Sequence, residues 1–249
     1  MPTENPDLTV VLMTYNECVT VAPVAAELQA ALDALGRPWE LLIVDDGSTD
    51  GSGAVAARLA EADRRVRVVT HAVNGGLGAV YRTGFATARG RHVTFFPADG
   101  QFPAEILHAF RPAMDGADLV LGYLPERRGA LVSRILSGAE RIVYRMMLGP
   151  MPRFQGVLMY RRELVGALPL RSEGRGWAVV MEFVLRVSRG PFRVVSLPTS
   201  VRPRRSGRSK VNNLRTILAN LRQILPLRRL VRPAASSGRS IPPDIDAST

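Results

Sequence analysis

Short apolar runs rich in β-branched residues alternate with helical patterns along the first half of the chain, and the runs end in polar corners. Residues 8–14 (LTVVLMT) read as a buried strand leading into Tyr15-Asn16-Glu17. The apolar positions Val21, Val24, Leu28, Ala31, Leu32 and Leu35 then share one helical face, which stops at Gly36. A second strand, 39–44, ends in Asp45-Asp46-Gly47-Ser48-Thr49-Asp50-Gly51-Ser52, and a helix runs from there to Asp63. A strand at 66–70, the loop Asn74-Gly75-Gly76-Leu77-Gly78 and a helix over 80–88 follow. His92 opens a short, fully buried strand through Val93, Phe95 and Phe96, and Pro103 sits where the next helix takes its first turn.

The second half continues the alternation with a strand at 117–122, a helix over 177–187 carrying Glu182, and a strand at 192–197. Two further segments are amphipathic. In 131–148, Leu131, Ile135, Ile142 and Met146 lie along one face beside Arg134, Arg141 and Arg145; in 211–225, Leu214, Ile217, Leu218, Leu221, Ile224 and Leu225 oppose Arg215 and Arg222 until Pro226 breaks the pattern. Such helices are either core-facing with solvated charges or interfacial, and the pattern alone leaves both open. The stretch 233–249, rich in Pro, Ser and Gly without periodicity, reads as a disordered tail.

At 249 residues and 46% hydrophobic content, the chain can bury an α/β core. Its formal net charge of +11 is unevenly placed: residues 1–125 hold 9 Arg against 15 Asp and Glu, a net of −6, while 126–249 hold 23 Arg and one Lys against 7 acids, a net of +17. Lys210 is the only lysine, so a general preference for arginine explains the Arg count; the asymmetry instead predicts a second half that meets polyanions. The lone Cys18 excludes a disulfide framework and a thiolate metal cluster and suits a reducing cytoplasm; His71, His92 and His108 show no metal-ligand spacing. No apolar run approaches the ~18 residues of a membrane span, and the first residues lack a signal-peptide pattern, so the expectation is a protein neither secreted nor membrane-spanning. The basic clusters at 202–210 and 228–232 contain no aromatic residue, which argues against nucleic acid as a partner.

The candidate chemistry lies at the strand ends. In an open α/β sheet ligands bind beyond the carboxyl ends of the strands, so Asp99 and Gln101 in Pro97-Ala98-Asp99-Gly100-Gln101 can face a common cation on a diphosphate. A plain Asp-Gly turn is the alternative for this fragment. Asp45 and Asp46, followed by Ser, Thr and Asp, make a polar corner able to hydrogen-bond a base and ribose. The glycines at 75, 76 and 78 would let backbone approach a ligand closely.

Taken together and in order, TVVLMTYNE, IVDDGSTDGS, NGGLGAVYRTGFATARG and FFPADGQFP resemble a family 2 glycosyltransferase of the GT-A fold, within it most closely the dolichol-phosphate mannose synthase group of polyprenyl-phosphate sugar transferases. Arg202–Lys210 (RPRRSGRSK) resembles that group's R-x-x-G-x-S-K signature with one extra residue before the glycine, and Gly156–Arg162 its G-F-x-L-x-R-R strand. The resemblance, over roughly 8–225, implies a single GT-A domain (1–232) with a mixed, mainly parallel sheet and helices on both faces. A nucleotide-sugar half, about 1–125, precedes an acceptor half, about 126–232. It further implies that Thr14, Tyr15, Glu17 and Asp46 bind the donor, and that Asp99 and Gln101 hold Mg²⁺ or Mn²⁺ on the diphosphate of a GDP- or UDP-linked sugar. Two positions depart from the family: Pro97 replaces the first aspartate of D-x-D-x-Q, and Pro152 replaces an aspartate four residues before the glycine of G-F-x-L-x-R-R.

The expected activity is metal-dependent, inverting transfer of a sugar to a polyprenyl phosphate at the cytoplasmic membrane face, with the protein attached peripherally to an anionic surface. A hydroxyl nucleophile needs a base, whereas a phosphate monoester, with a second pKa of about 6, is ionised already and needs cationic positioning. Arg202, Arg205, Arg208, Ser209 and Lys210 form a cluster suited to that phosphate, with Arg202 and Lys210 gripping it beside Asp99 in the catalytic set. A soluble hydroxyl acceptor, with Glu182 as base, is the alternative; a nucleic-acid-binding module and a nucleotidyl transferase are the more distant ones.

Overall fold

The computed structural model describes residues 5–125, 146, 148–203, 227 and 230. The amphipathic segment at 211–225, nearly all of that at 131–148, the cluster residues Arg205, Arg208, Ser209 and Lys210, and the stretch 233–249 lie outside the described residues.

Among the described residues, seven strands form one sheet in the order β3-β2-β1-β4-β6-β5-β7. The strands are β1 (Leu8–Thr14), β2 (Trp39–Asp45), β3 (Val66–Thr70), β4 (His92–Pro97), β5 (Leu119–Tyr123), β6 (Leu158–Arg161) and β7 (Val194–Pro198). Of these seven, β6 alone is reversed, pairing antiparallel with both β4 and β5, while the remaining neighbours are parallel. The helices are α1 (Val21–Ala34), α2 (Ser52–Ala62), α3 (Leu77–Thr87), α4 (Ile106–Ala113), α5 (Glu163–Ala167) and α6 (Ala178–Arg189).

Helices cover both faces of the sheet, which is why the central strands are apolar almost without interruption. Along β1 the pleat sends Leu8, Val10 and Leu12 into a core shared with Leu28 and Leu32 of α1 and Leu107 and Phe110 of α4. Val11 faces the opposite core, with Leu42 and Val44 of β2, Tyr81 and Phe85 of α3, and Val180 and Phe183 of α6. That second core centres on an aromatic nest in which the Tyr81 and Phe95 rings lie 4.4 Å apart and those of Tyr160 and Phe183 4.8 Å. Burial raises the pKa of both tyrosines, whose hydroxyls have no hydrogen-bond partner among the described residues.

Two details, an earlier helix start than expected and the place of the reversed strand in the expected mixed sheet, bear on the site. The third helix begins at Leu77, so the glycine-rich loop is itself the approach to a helix N-terminus, with Gly76 at φ +80° as its N-cap. The strand at 158–161 runs against its neighbours, so the chain entering it arrives at the end of the sheet where the parallel strands finish. Among the described residues no helix is long and apolar enough to cross a membrane.

Candidate active site

Three adjacent strands finish side by side. The Asp46 N–H donates to the Thr14 carbonyl (2.9 Å) and the Ala98 N–H to the Met13 carbonyl (2.9 Å), extending the ladder one residue past β2 and β4. Asp45-Asp46, Thr14-Tyr15 and Ala98-Asp99 therefore stand in one row at the carboxyl edge, the position predicted for ligands. Thr14 is buried, and its Oγ1 has no hydrogen-bond partner among the described residues.

The loops after β1 and β2 are clasped together. Asn16, held at φ +54°, donates its N–H to Ser48 Oγ (2.9 Å) and accepts the Thr49 N–H on Oδ1 (2.8 Å). The Glu17 N–H donates to Ser52 Oγ (2.8 Å), and the Cys18 N–H to Asp50 Oδ2 (3.0 Å). Desolvation alone would raise the pKa of Asp50, but bonds from the Ser52 hydroxyl and from the Cys18 and Ser52 N–H groups outweigh it and hold the carboxyl down at about 2. Glu17 accepts the Thr20 hydroxyl (3.0 Å). The run of Ser, Thr and Asp after Asp46 thus serves the neighbouring loop more than it caps α2, whose N-cap is Gly51.

Asp46 organises the glycine-rich loop. Its Oδ1 accepts the Gly75 N–H (2.9 Å) and faces His71 Nδ1 (2.7 Å); its Oδ2 accepts the Gly76 N–H (2.8 Å) and Asn74 Nδ2 (2.9 Å). Because a carboxylate only accepts, Nδ1 of His71 carries a proton, and its Nε2 lies 2.8 Å from the Thr83 hydroxyl. The loop is also bound from the second half of the chain: Arg175 donates to the Asn74 carbonyl and Oδ1 (2.8 and 2.7 Å), and the Gly78 N–H donates to the Arg175 carbonyl (2.8 Å). A Cβ at Gly78 would lie 2.0 Å from the Gly174 carbonyl oxygen, so this approach requires glycine.

At the end of β4 the chain turns sharply. Gly100 has φ +72°, and the Gln101 N–H reaches back to Asp99 Oδ1 (3.1 Å), making Asp99 and Gln101 the two faces of one turn. Asp99 is only 6% exposed. This pair offers a carboxylate and an amide oxygen, hard ligands that suit Mg²⁺ or Mn²⁺. No group of three His, Cys, Asp or Glu side chains among the described residues could cage a metal. The donor set therefore fits a cation shared with a substrate diphosphate and water, as the single carboxylate left by Pro97 requires.

Among the described residues, Gly156 and Arg202 from the second half of the chain meet this turn. The ring of Phe102 packs on Gly156, which sits at φ +104° and whose Cβ would be 2.3 Å from Phe102 Cζ. The Arg202 N–H donates to the Gln101 carbonyl (2.8 Å), fixing the first residue of the basic cluster beside the turn. Its guanidinium, though, is paired with Glu27 (2.7 Å) and Glu105 (3.0 Å).

Glu182 does not fit the role of a base. It is fully buried, accepts the N–H groups of Arg171 (3.0 and 3.1 Å) and Ser172 (2.7 Å), and is ion-paired with Arg186 at 2.8 Å. Its charge pins the 171–176 segment against α3, where Arg82 also holds the Ser172 and Gly174 carbonyls. Sequence reasoning missed His71, Asn74, Arg175, Glu27 and Glu105. An Asn before a Gly pair is a turn signal that points at Asn74; the others meet their partners only through the fold.

Comparison with known proteins agrees with this geometry. The family model described as "Glycosyl transferase family 2" matches residues 9–164. The chain is 32% identical over 216 residues to the polyprenol monophosphomannose synthase of Mycolicibacterium smegmatis, covering 82% of this chain and 80% of the relative. It is 30% identical to the undecaprenyl-phosphate mannosyltransferase of Micrococcus luteus (81% and 86% covered) and 25% identical to the dolichol-phosphate mannosyltransferase of Saccharomyces cerevisiae (89% and 86%). Among solved structures, glucosyl-3-phosphoglycerate synthase from Mycobacterium tuberculosis, crystallised with Mn²⁺, UDP-glucose and phosphoglyceric acid, superposes with a TM-score of 0.69 at 20% identity, over 90% of this chain and 80% of that one. The same enzyme crystallised with Mg²⁺ and UDP superposes at 0.67. With a family model over most of its length, relatives at 30% identity or more and a shared sheet, the chain belongs to glycosyl transferase family 2 and has the GT-A fold.

Proposed function

We propose that this enzyme moves a sugar from a nucleoside diphosphate to a polyprenyl phosphate, with inversion at the anomeric carbon, while attached to the cytoplasmic face of a membrane. The observation that carries the reading is the naming of relatives matched over more than four-fifths of the chain: each acts on a polyprenol, undecaprenyl or dolichol phosphate. The sealed environment of Glu182 supports it, since an alcohol acceptor would need a base and a phosphate would not.

In this reading Thr14, Tyr15, Glu17 and Asp46 form the wall of the nucleotide pocket, with Asp46 acting through the loop at 74–78. Asp99 and Gln101 would hold the divalent cation, which would offset the charge that develops on the departing diphosphate. The GDP- or UDP-linked donor lies over the carboxyl edge, and Arg202, Arg205, Arg208, Ser209 and Lys210 receive the acceptor phosphate. Glu105, whose side chain is 67% exposed, is the partner that Arg202 exchanges for phosphate. The oxygen of a phosphate dianion attacks the anomeric carbon in line, the bond to the diphosphate breaks, and no proton need move. The test is to incubate the protein with GDP- and UDP-sugars, Mg²⁺ and a polyprenyl phosphate and to identify the product by mass and anomeric coupling. A glycosyl phosphate ester of inverted configuration supports the reading; a retained configuration, or a glycoside of a soluble alcohol alone, overturns it.

A further inference from the structure

Large apolar side chains that stay exposed are informative when they collect in one region. Among the described residues five are exposed, and four of them follow the carboxyl ends of parallel strands or precede the helix that starts there. Val19 (70% exposed) lies between β1 and α1, Val73 (75%) between β3 and α3, Val201 (39%) just after β7, and Trp177 (38%) at the N-cap of α6. The parallel pairing of β3, β2, β1 and β4, and of β5 with β7 across the reversed β6, puts all four on the end of the sheet that holds Asp99. The fifth, Met146, precedes Leu148, whose carbonyl is bound by Arg189 at the far end of α6, and is not part of the set.

The rim has the mixed character of a surface that meets lipid headgroups. Trp177 presents an amphipathic ring, its neighbours Arg171 and Arg175 are exposed with Glu173 between them, and the half of the chain that contributes them carries a net charge of +17, against −6 for the half that contributes Val19 and Val73. The segment is rigid enough to hold them there, being pinned through Glu182, Arg82 and the Arg175–Asn74 contact. We infer that the catalytic end itself is the membrane-docking surface. Val19, Val73, Val201 and Trp177 enter the headgroup layer of an anionic bilayer, and Arg171 and Arg175 answer its charge. The inference rests on the polyprenyl phosphate reading, because an acceptor whose phosphate lies at the bilayer surface must be met by the end of the sheet that bears Asp99.

Trp177 supplies the readout. The chain has two tryptophans, and Trp39 is buried at 6% exposure with its Nε1 bonded to Asp33 (2.9 Å), so it reports little on the solvent. Adding vesicles that contain phosphatidylglycerol should blue-shift the emission and allow quenching by lipids brominated along the acyl chain. Trp177→Phe should remove that response. Val19→Asp and Val73→Asp should each weaken vesicle binding about tenfold, while turnover on a short-chain, water-soluble polyprenyl phosphate stays as in the parent protein. Vesicle binding without a change at Trp177, or a Trp177 response to the sugar nucleotide alone, overturns the inference. So does failure to bind vesicles at all. If short-chain polyprenyl phosphates are not turned over, it is the acceptor reading that fails, whatever the vesicles show.

Discussion

The guanidinium of Arg202 lies 2.7 Å from Glu27 on α1, joining residues 175 positions apart, while its own N–H is bonded to Gln101 in the turn that holds Asp99. Arg202 thus ties α1 to the turn at 99–101, which the proposed reading makes the cation site. Removing the side chain should disturb acceptor more than donor: Arg202→Ala is expected to raise the acceptor KM about 10- to 100-fold, the range of a lost charge-assisted hydrogen bond, with donor affinity nearly intact. Glu105→Gln, which frees one side of the guanidinium, should lower that KM. Steady-state kinetics with acceptor varied at saturating donor decides both, and an unchanged KM in both variants would remove Arg202 from the acceptor site.

A single carboxylate carries the proposed cation site, so its loss has no substitute at Pro97. Asp99→Ala should lower turnover by about 10²-fold or more, the scale on which one stabilising group at a developing charge is felt, and should abolish any metal dependence of donor binding. EDTA should do the same to the parent protein and Mg²⁺ or Mn²⁺ should restore it. A rate indifferent to EDTA would show that Asp99 does not act through a metal.

Asp46 is predicted to act through the glycine-rich loop. Asp46→Asn keeps the shape but replaces an acceptor oxygen with an amino group facing donors. The variant should lose about 1–3 kcal/mol of stability for a buried hydrogen-bonding group left unsatisfied. Amide exchange should accelerate at 74–78 before it does in the β1–β4 core. If the exchange pattern is unaltered, the loop does not depend on Asp46.

The clasp between the loops after β1 and β2 should be sensitive to acid. Asp50 titrates at about 2 in the folded protein against 3.8 unperturbed. Its contribution to stability is therefore complete above about pH 4 and is lost as the pH falls toward 2, where the folded state too takes up the proton. Thermal melts of Asp50→Asn and the parent protein should differ at neutral pH and converge by about pH 2. A difference that stays constant down to pH 2 would contradict the assignment.

The strands β1, β2 and β4 and the helices between them were legible because double-sided burial leaves near-continuous apolar runs bounded by Gly and Asp. The row of Thr14, Asp46 and Asp99 was legible for the same reason: it follows from where those runs end. Which strand of the mixed sheet is reversed was not, since the short, largely buried β6 carries no sign of direction. Nor were Arg175 and Asn74, or Arg202 and Glu27, whose contacts span about a hundred residues or more and exist only once the sheet is built. Glu182 shows the opposite failure. A lone acid on an apolar helix looks like chemistry in sequence, and the fold uses it to cap two backbone N–H groups.

The most direct measurement of the central claim compares two acceptors that differ only in the phosphate: a polyprenyl phosphate and the matching polyprenol, each in the same detergent, with one sugar nucleotide and Mg²⁺. Positioning by arginine and lysine, with Glu182 sealed away from the site, predicts turnover on the phosphate at least about 10²-fold above that on the alcohol, the scale of the general-base catalysis an alcohol would need. Equal rates, or transfer to the alcohol with the phosphate untouched, would contradict the account.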